Sequence, residues 1–407
     1  MRTLSNRASF LTAAAIVVIA LWASGSPAMV YPLYEQAWSL TATTITEVFA
    51  VYPVVMVLTL VIFGSLSDSI GRRAAMLAGL VSIIVGVLVF AIAPDVTWLF
   101  IGRFFQGLGV GLALSPAGAA LVEYGGSQSR ASSANTVAIS IGLSLATIVG
   151  GGLLEYAPWP RELTFWVLIV AAAVVTAFAV FLPRQPRAAA STERWRPRPI
   201  RVPRELRVTV ITAALGITST FALGAVLISL GSQLVKDVLH TDNAFLAGLV
   251  LAIGTVASAV VSLVAGRIGL RSAVSIGGLV SALAVALLVV SASLSSLPIF
   301  VLASVAFGAS SGLLFLGSFG LVNRNAPAHH RAATLSVVYL VAYVGQGVVA
   351  VGLGLLTTAL GLRVALDLVG PILVLLALTT TTFALSTGRM RRVAVTDASP
   401  ELVTAGK

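Results

Sequence analysis

The sequence contains no cysteine, which excludes disulfides, thiolate metal sites and cysteine nucleophiles. Histidine is almost as scarce: His240, His329 and His330 sit in loop-like stretches, and the adjacent pair lacks the i,i+4 spacing of a helical zinc site, so all three read as solvated residues. No metal and no cofactor is expected. Charge is the third shortage, for only 10% of the 407 residues are Asp, Glu, Lys or Arg, where a soluble domain carries about a quarter. That excludes a chain made of water-soluble domains. Neither clustered carboxylates nor a nucleophile and base pair appears, so the sequence does not read as an enzyme.

What the chain has instead is apolar length, with 58% hydrophobic residues and a mean hydropathy of +1.03. Apolar runs fall at 10–34, 42–66, 74–93, 97–121, 132–155 and 163–182, and resume at 209–232, 244–265, 272–292, 298–322, 332–357 and 364–386. Each is long enough to cross a bilayer as a helix, the form in which a lipid-exposed backbone satisfies its own hydrogen bonds. The predicted fold class is an all-α membrane protein of twelve transmembrane helices in two six-helix, pseudo-symmetric halves. The expected divisions are a first half at 1–182, an Arg/Pro-rich linker at 183–208, a second half at 209–388 and a tail at 389–407. Arg2, Arg7 and the small residues from Ser24 to Ala28 imitate a cleavable signal, but the apolar character continues through Met29, Val30 and Leu33, so the first run is read as a retained helix.

The net charge of +11 lies in the gaps between runs rather than in an aromatic-interleaved patch, which argues for topology and against nucleic acid. Placing both termini in the cytoplasm puts Arg72, Arg73, Arg130, Arg267, Arg271, Arg324, Arg331 and the linker arginines on one face. Only Arg161, Lys236 and Arg363 fall on the other, with Trp98, Trp159 and Trp166 at its interface. The expectation is a multi-pass protein of the cell membrane whose linker is solvated and carries no chemistry.

The halves repeat. Gly71 and Arg73 after the second run match Gly269 and Arg271 after the eighth, while Gly107, Gly111, Leu112, Arg130 and Ala131 match Gly308, Gly312, Leu313, Arg331 and Ala332. A duplicated six-helix unit with its substrate site between the halves is a transporter architecture.

Three segments carry a family resemblance. Gly64-Ser-Leu-Ser-Asp68-Ser-Ile-Gly71-Arg72-Arg73 resembles the loop signature Gly-x-x-x-Asp-Arg-x-Gly-Arg-Arg of the major facilitator superfamily, with Ser69 in place of an Arg. Arg103-Phe-Phe-Gln106-Gly107-Leu-Gly109 resembles its Arg-x-x-Gln-Gly-x-Gly signature. Gly142-x-x-x-Ala146-Thr147-x-x-Gly150-Gly151 resembles the Gly-x-x-x-Gly-Pro-x-x-Gly-Gly signature of its proton-coupled antiporters, with Ala and Thr replacing Gly and Pro. The resemblance implies a gate in which Asp68 sits against a helix N-terminus in the second half and Arg72 pairs with Glu123. The second half lacks an acid at the matching loop position.

Other site residues follow from position. Gly107 and Gly111, Gly308 and Gly312, and Gly142, Gly150 and Gly151 are expected to let helices pack closely. Arg103 is the one basic residue well inside a run and needs a partner; Glu47, at a similar depth in the second run, is the expected one. Cavity candidates are Tyr52, Asn135, Thr220, Gln233, Tyr339, Tyr343 and Gln346. The functional expectation is a monomeric, alternating-access transporter in the lipid bilayer. It would use protons to export small apolar or amphipathic solutes, with proton-coupled uptake of a metabolite, a transport-inactive sensor or a membrane-embedded enzyme as the competing readings.

Overall fold

The computed structural model describes residues 4–63, 70–183, 204–239, 243–326 and 328–397. Its helices are α1 (Asn6–Gly25), α2 (Pro27–Trp38), α3 (Ala42–Phe63), α4 (Arg72–Ala91), α5 (Val96–Gly125), α6 (Gln128–Tyr156) and α7 (Leu163–Ala179). In the second half they are α8 (Arg207–Ser229), α9 (Gly231–Leu239), α10 (Ala244–Val264), α11 (Leu270–Leu294), α12 (Leu297–Asn325), α13 (Ala328–Leu360) and α14 (Leu362–Asp397). Eleven spans are long and apolar enough to cross a membrane, α1 and α2 counting as one. The twelfth crossing is α7, which at 17 residues lies at the short end of the spanning range of about 17–25. The linker from 184 to 203 and the tail beyond 397 lie outside the described residues, and α14 runs past the expected boundary at 388 to Asp397.

The first and seventh crossings are both broken, α1 giving way to α2 at Ser26 and α8 to α9 at Leu230. In the first break the cause is explicit. Pro27 has no backbone N–H, so the Ala23 carbonyl loses its helical partner, and Ser26 Oγ donates to it at 3.1 Å instead.

Helix pairing shows the duplication directly. In the first half α4 packs on α5 and α7, while α1 and α3 pack on α5 and α1 on α6. In the second, α11 packs on α12 and α14, while α8 and α10 pack on α12 and α8 on α13. The repeated glycines make the same contact in both halves. A Cβ on Gly107 would meet the Tyr52 carbonyl of α3 at 2.6 Å and one on Gly111 would meet Thr59 at 2.8 Å; on Gly308 and Gly312 it would run into the Gly254 and Ser258 carbonyls of α10. Absence of a side chain lets the backbones touch, which is how membrane helices associate where burial from water supplies no drive.

Helix direction alternates, so the ends sort into two sets. The basic end carries the start of α1 and the residues around 70–71, 126–127, 204–206 and 265–269; the opposite end carries those around 39–41, 92–95, 157–162, 295–296 and 361.

Candidate functional site

The two halves are bonded together at the end opposite the basic one. There α3 meets α13: Thr43 N donates to Thr358 Oγ1 at 3.0 Å, Thr43 Oγ1 donates to the Gly354 carbonyl at 3.2 Å, and Gly354 leaves no room for more than a hydrogen against Thr46. Alongside, α6 meets α10. The Ala244 N–H donates to Glu155 Oε2 at 2.8 Å, Tyr156 packs edge-on against Phe245, and deeper in the bundle Ser144 and Thr255 hydroxyls share a hydrogen bond of 2.7 Å. Gly151 faces the Ala244 carbonyl and Gly248 the Thr147 carbonyl, so small residues on both helices make this crossing close. Gly142 and Gly150 face the other way, toward Val18 of α1 and Met29 of α2.

Inside the first half, Arg103 on α5 is 0% exposed. Its guanidinium donates through Nε and Nη2 to the Tyr31 hydroxyl at 2.9 and 2.5 Å, and through Nη1 to the Ser24 carbonyl at 2.8 Å and Gln106 Oε1 at 3.1 Å. The rings of Tyr31, Tyr52, Phe49 and Phe90 surround its Cζ at 5.5 to 5.9 Å. A buried cation is thus held by neutral oxygens and aromatic faces, and each hydrogen bond to a charged group stabilises by about 1.5–3 kcal/mol.

The expected Arg103–Glu47 pair does not form. Glu47 is exposed, and it lies seven, eleven and fifteen residues before the exposed Val54, Leu58 and Ile62, which is one outward stripe of α3. Depth along the helix agreed but rotational phase did not. Arg103 instead bonds Ser24 and Tyr31 of the broken first crossing, with Gln106 of its own helix alongside.

At the basic end, Gly71 adopts φ +90° immediately before α4, a conformation that favours glycine. Arg72 Nη1 meets Glu123 Oε2 at 2.7 Å, both side chains over a third exposed, and Arg73 Nη1 donates to the Leu182 carbonyl at 3.2 Å, tying the start of α4 to the chain after α7. Asp68 lies outside the described residues.

The cavity candidates separate. Tyr52 and Tyr343 belong to one apolar cluster that joins the halves, with Tyr339 packed against it. Thr220 and Gln346 are buried with oxygens lacking a partner, as is the Gln233 side-chain oxygen on α9, away toward the bonded end. Asn135 is half-buried on α6. Sequence reading missed Phe221, Phe315 and Phe319, which with Tyr339 and Tyr343 form a closed circuit of rings. Successive centroids lie 5.9 Å (Phe221–Phe315), 5.6 Å (Phe315–Phe319), 5.3 Å (Phe319–Tyr339), 6.0 Å (Tyr339–Tyr343) and 4.6 Å (Tyr343–Phe221) apart. The i,i+4 spacing of Phe315 and Phe319 was a legible signal of one helix face.

Comparison with known proteins agrees with this architecture. The nucleoside transporter NupG superposes with a TM-score of 0.72 over 93% of this chain and 99% of its own, at 12% identity, a likeness of fold. The multidrug efflux pump LfrA of Mycolicibacterium smegmatis is 32% identical over 164 residues, 39% of this chain and 31% of that protein. The glucose transporter GlcP of Staphylococcus epidermidis is 30% identical over 129 residues, 30% of this chain and 28% of that one. These matches thus span about a third or less of either relative. Residues 11–271, well over half the chain, match the sequence profile of the Major Facilitator Superfamily, and this chain belongs to that family.

Proposed function

We propose that the protein is a proton-driven exporter of small apolar or amphipathic compounds, a monomer of the cell membrane with both termini cytoplasmic. The observation that carries alternating access is the placement of the bonds between the halves. Among the described residues, the ties from α3 to α13 and from α6 to α10 lie toward one end, and the faces nearer the basic end carry rings and unpaired polar groups. By the positive-inside rule the bonded end is external, so this is a state closed to the outside. Export rather than uptake is supported by the antiporter-like signature of α6, whose Thr147 and Gly151 sit in the crossing with α10. The name of the relative LfrA points the same way, that of GlcP toward uptake.

The Arg72–Glu123 pair and Asp68 would then belong to the inner gate, favouring one of two arrangements of the halves by differential contacts. The test is transport in inverted vesicles with an imposed pH gradient. Accumulation of an amphipathic probe inside acidified vesicles, abolished by a protonophore, supports export. Proton-driven loss of probe from the vesicles would replace this reading with uptake.

A further inference from the structure

The ring circuit between α8, α12 and α13 has the makings of a binding surface. Phe221, Phe315, Phe319 and Tyr339 are each partly exposed, while Tyr343 at 8% exposure closes the circuit against the cluster that contains Tyr52 and Met56 of the first half. The circuit therefore stands at the boundary between the halves. Beside it is a buried polar group that no protein group satisfies. Gln346 is 7% exposed, lies three residues along α13 from Tyr343 and so on the same face, and its Oε1 has no partner. Buried side-chain oxygens are almost always paired, so an orphan beside this aromatic surface points to a group supplied from outside the chain.

Charge narrows the ligand. No Asp or Glu occurs on α8, α10, α12 or α13. A cation stacked on these rings would find no counter-charge on those helices, and the Arg103 guanidinium lies 5.7 Å from the Tyr52 ring of the adjoining cluster. An anion gains nothing from Arg103, which is fully buried and engaged with Tyr31, Ser24 and Gln106. Saturated rings would gain burial alone, whereas flat rings add edge-to-face and offset stacking against five partners.

We infer that the circuit is a selective site for an uncharged planar aromatic compound bearing a hydrogen-bond donor, its rings among Phe221, Phe315, Phe319, Tyr339 and Tyr343 and its donor on Gln346 Oε1. This rests on the exporter reading only in naming the substrate class, and binding tests it without transport.

The experiment measures equilibrium binding to the full-length protein in lipid nanodiscs with four probes of similar size. These are 2-naphthol, 2-methoxynaphthalene, decahydro-2-naphthol and the trimethyl(2-naphthyl)ammonium ion. Expected is at least tenfold tighter binding of 2-naphthol than of the saturated and cationic probes, and several-fold tighter than of the methoxy compound. Phe315→Leu combined with Phe319→Leu keeps apolar bulk but removes two rings, and lowers 2-naphthol affinity at least tenfold. Gln346→Leu removes the preference for 2-naphthol over 2-methoxynaphthalene and leaves the latter's affinity unchanged, a result that misfolding would not produce. Equal affinity for the saturated probe, tighter binding of the cation, or no saturable binding of 2-naphthol overturns the inference. If 2-naphthol binds selectively but does not accumulate in inverted vesicles, the exporter reading fails and the site stands. If other solutes are exported without this selectivity, the reverse holds.

Discussion

The two halves share a scaffold and differ in chemistry. In the first, the position one turn before the glycine stripe is Arg103, with its neutral oxygens and four rings; the position equivalent to it in the second half, by the register that pairs Gly107 with Gly308, is Ser304, small and buried. Conversely the second half holds the five-ring circuit. What recurs is the set of side chains that are absent, the glycines through which α5 rests on α3 and α12 on α10. Backbone contact tolerates no addition, so it persists through duplication, while residues facing the boundary between the halves diverge. The duplicated halves thus hold the buried charge of Arg103 in one half and the circuit of rings in the other.

The sharpest break in that comparison is substitution at the equivalent positions. Arg103→Leu strands the Tyr31 hydroxyl, Ser24 carbonyl and Gln106 amide, and forfeits about 1.5–3 kcal/mol for each charged hydrogen bond. A large drop in thermal stability and loss of transport are expected. Ser304→Ala should change stability by no more than about 0.5 kcal/mol if it behaves as an ordinary small substitution. Thermal unfolding of the two variants in nanodiscs measures the asymmetry.

The shared scaffold predicts the opposite pattern. Gly107→Val and Gly308→Val press a side chain into the Tyr52 and Gly254 carbonyls, and overpacking of this kind costs about 1–3 kcal/mol. Similar losses in both halves would confirm equivalent contacts, and a loss confined to one half would break the symmetry. Glu155→Ala comes next, because it removes the carboxylate that accepts from Ala244 N–H across the halves. Weakening that bond by about 1.5–3 kcal/mol shifts the population toward outward opening. The absence of native cysteine makes the assay clean: Ser229→Cys, buried in the wild type, should react faster with an impermeant maleimide when Glu155 is replaced. The smallest effect belongs to Glu123→Gln. The Arg72 pair is more than a third exposed, and pairs of that kind contribute about 0–1 kcal/mol, so transport should change by a few-fold at most.

Much of this was legible in the residues. Twelve apolar runs and the recurrence of Gly71, Gly107 and Gly111 in the second half specify the crossings and their duplication, because hydrocarbon leaves the backbone few options. The pairing of Arg72 with Glu123 followed from topology and a resemblance. Arg103 did not yield its partners in this way, since Ser24 and Tyr31 come from α1 and α2, and a choice by depth selected Glu47 over Tyr31. The 47, 54, 58, 62 spacing already marks Glu47 as outward-facing. The circuit of rings escaped because its members come from three helices, and no local pattern brings Phe221 to Phe315.

The central claim is that the halves rock about a closure that now sits at the end opposite the basic one. The most direct test places spin labels in pairs at the two ends of the same two helices, on Tyr156 and Leu246 at the closed end and on Ser133 and Val264 at the basic end, and measures both distances with and without a proton gradient or 2-naphthol. The account predicts two populations, in which the first distance lengthens as the second shortens. Distances that stay fixed, or that change in the same direction, would contradict it.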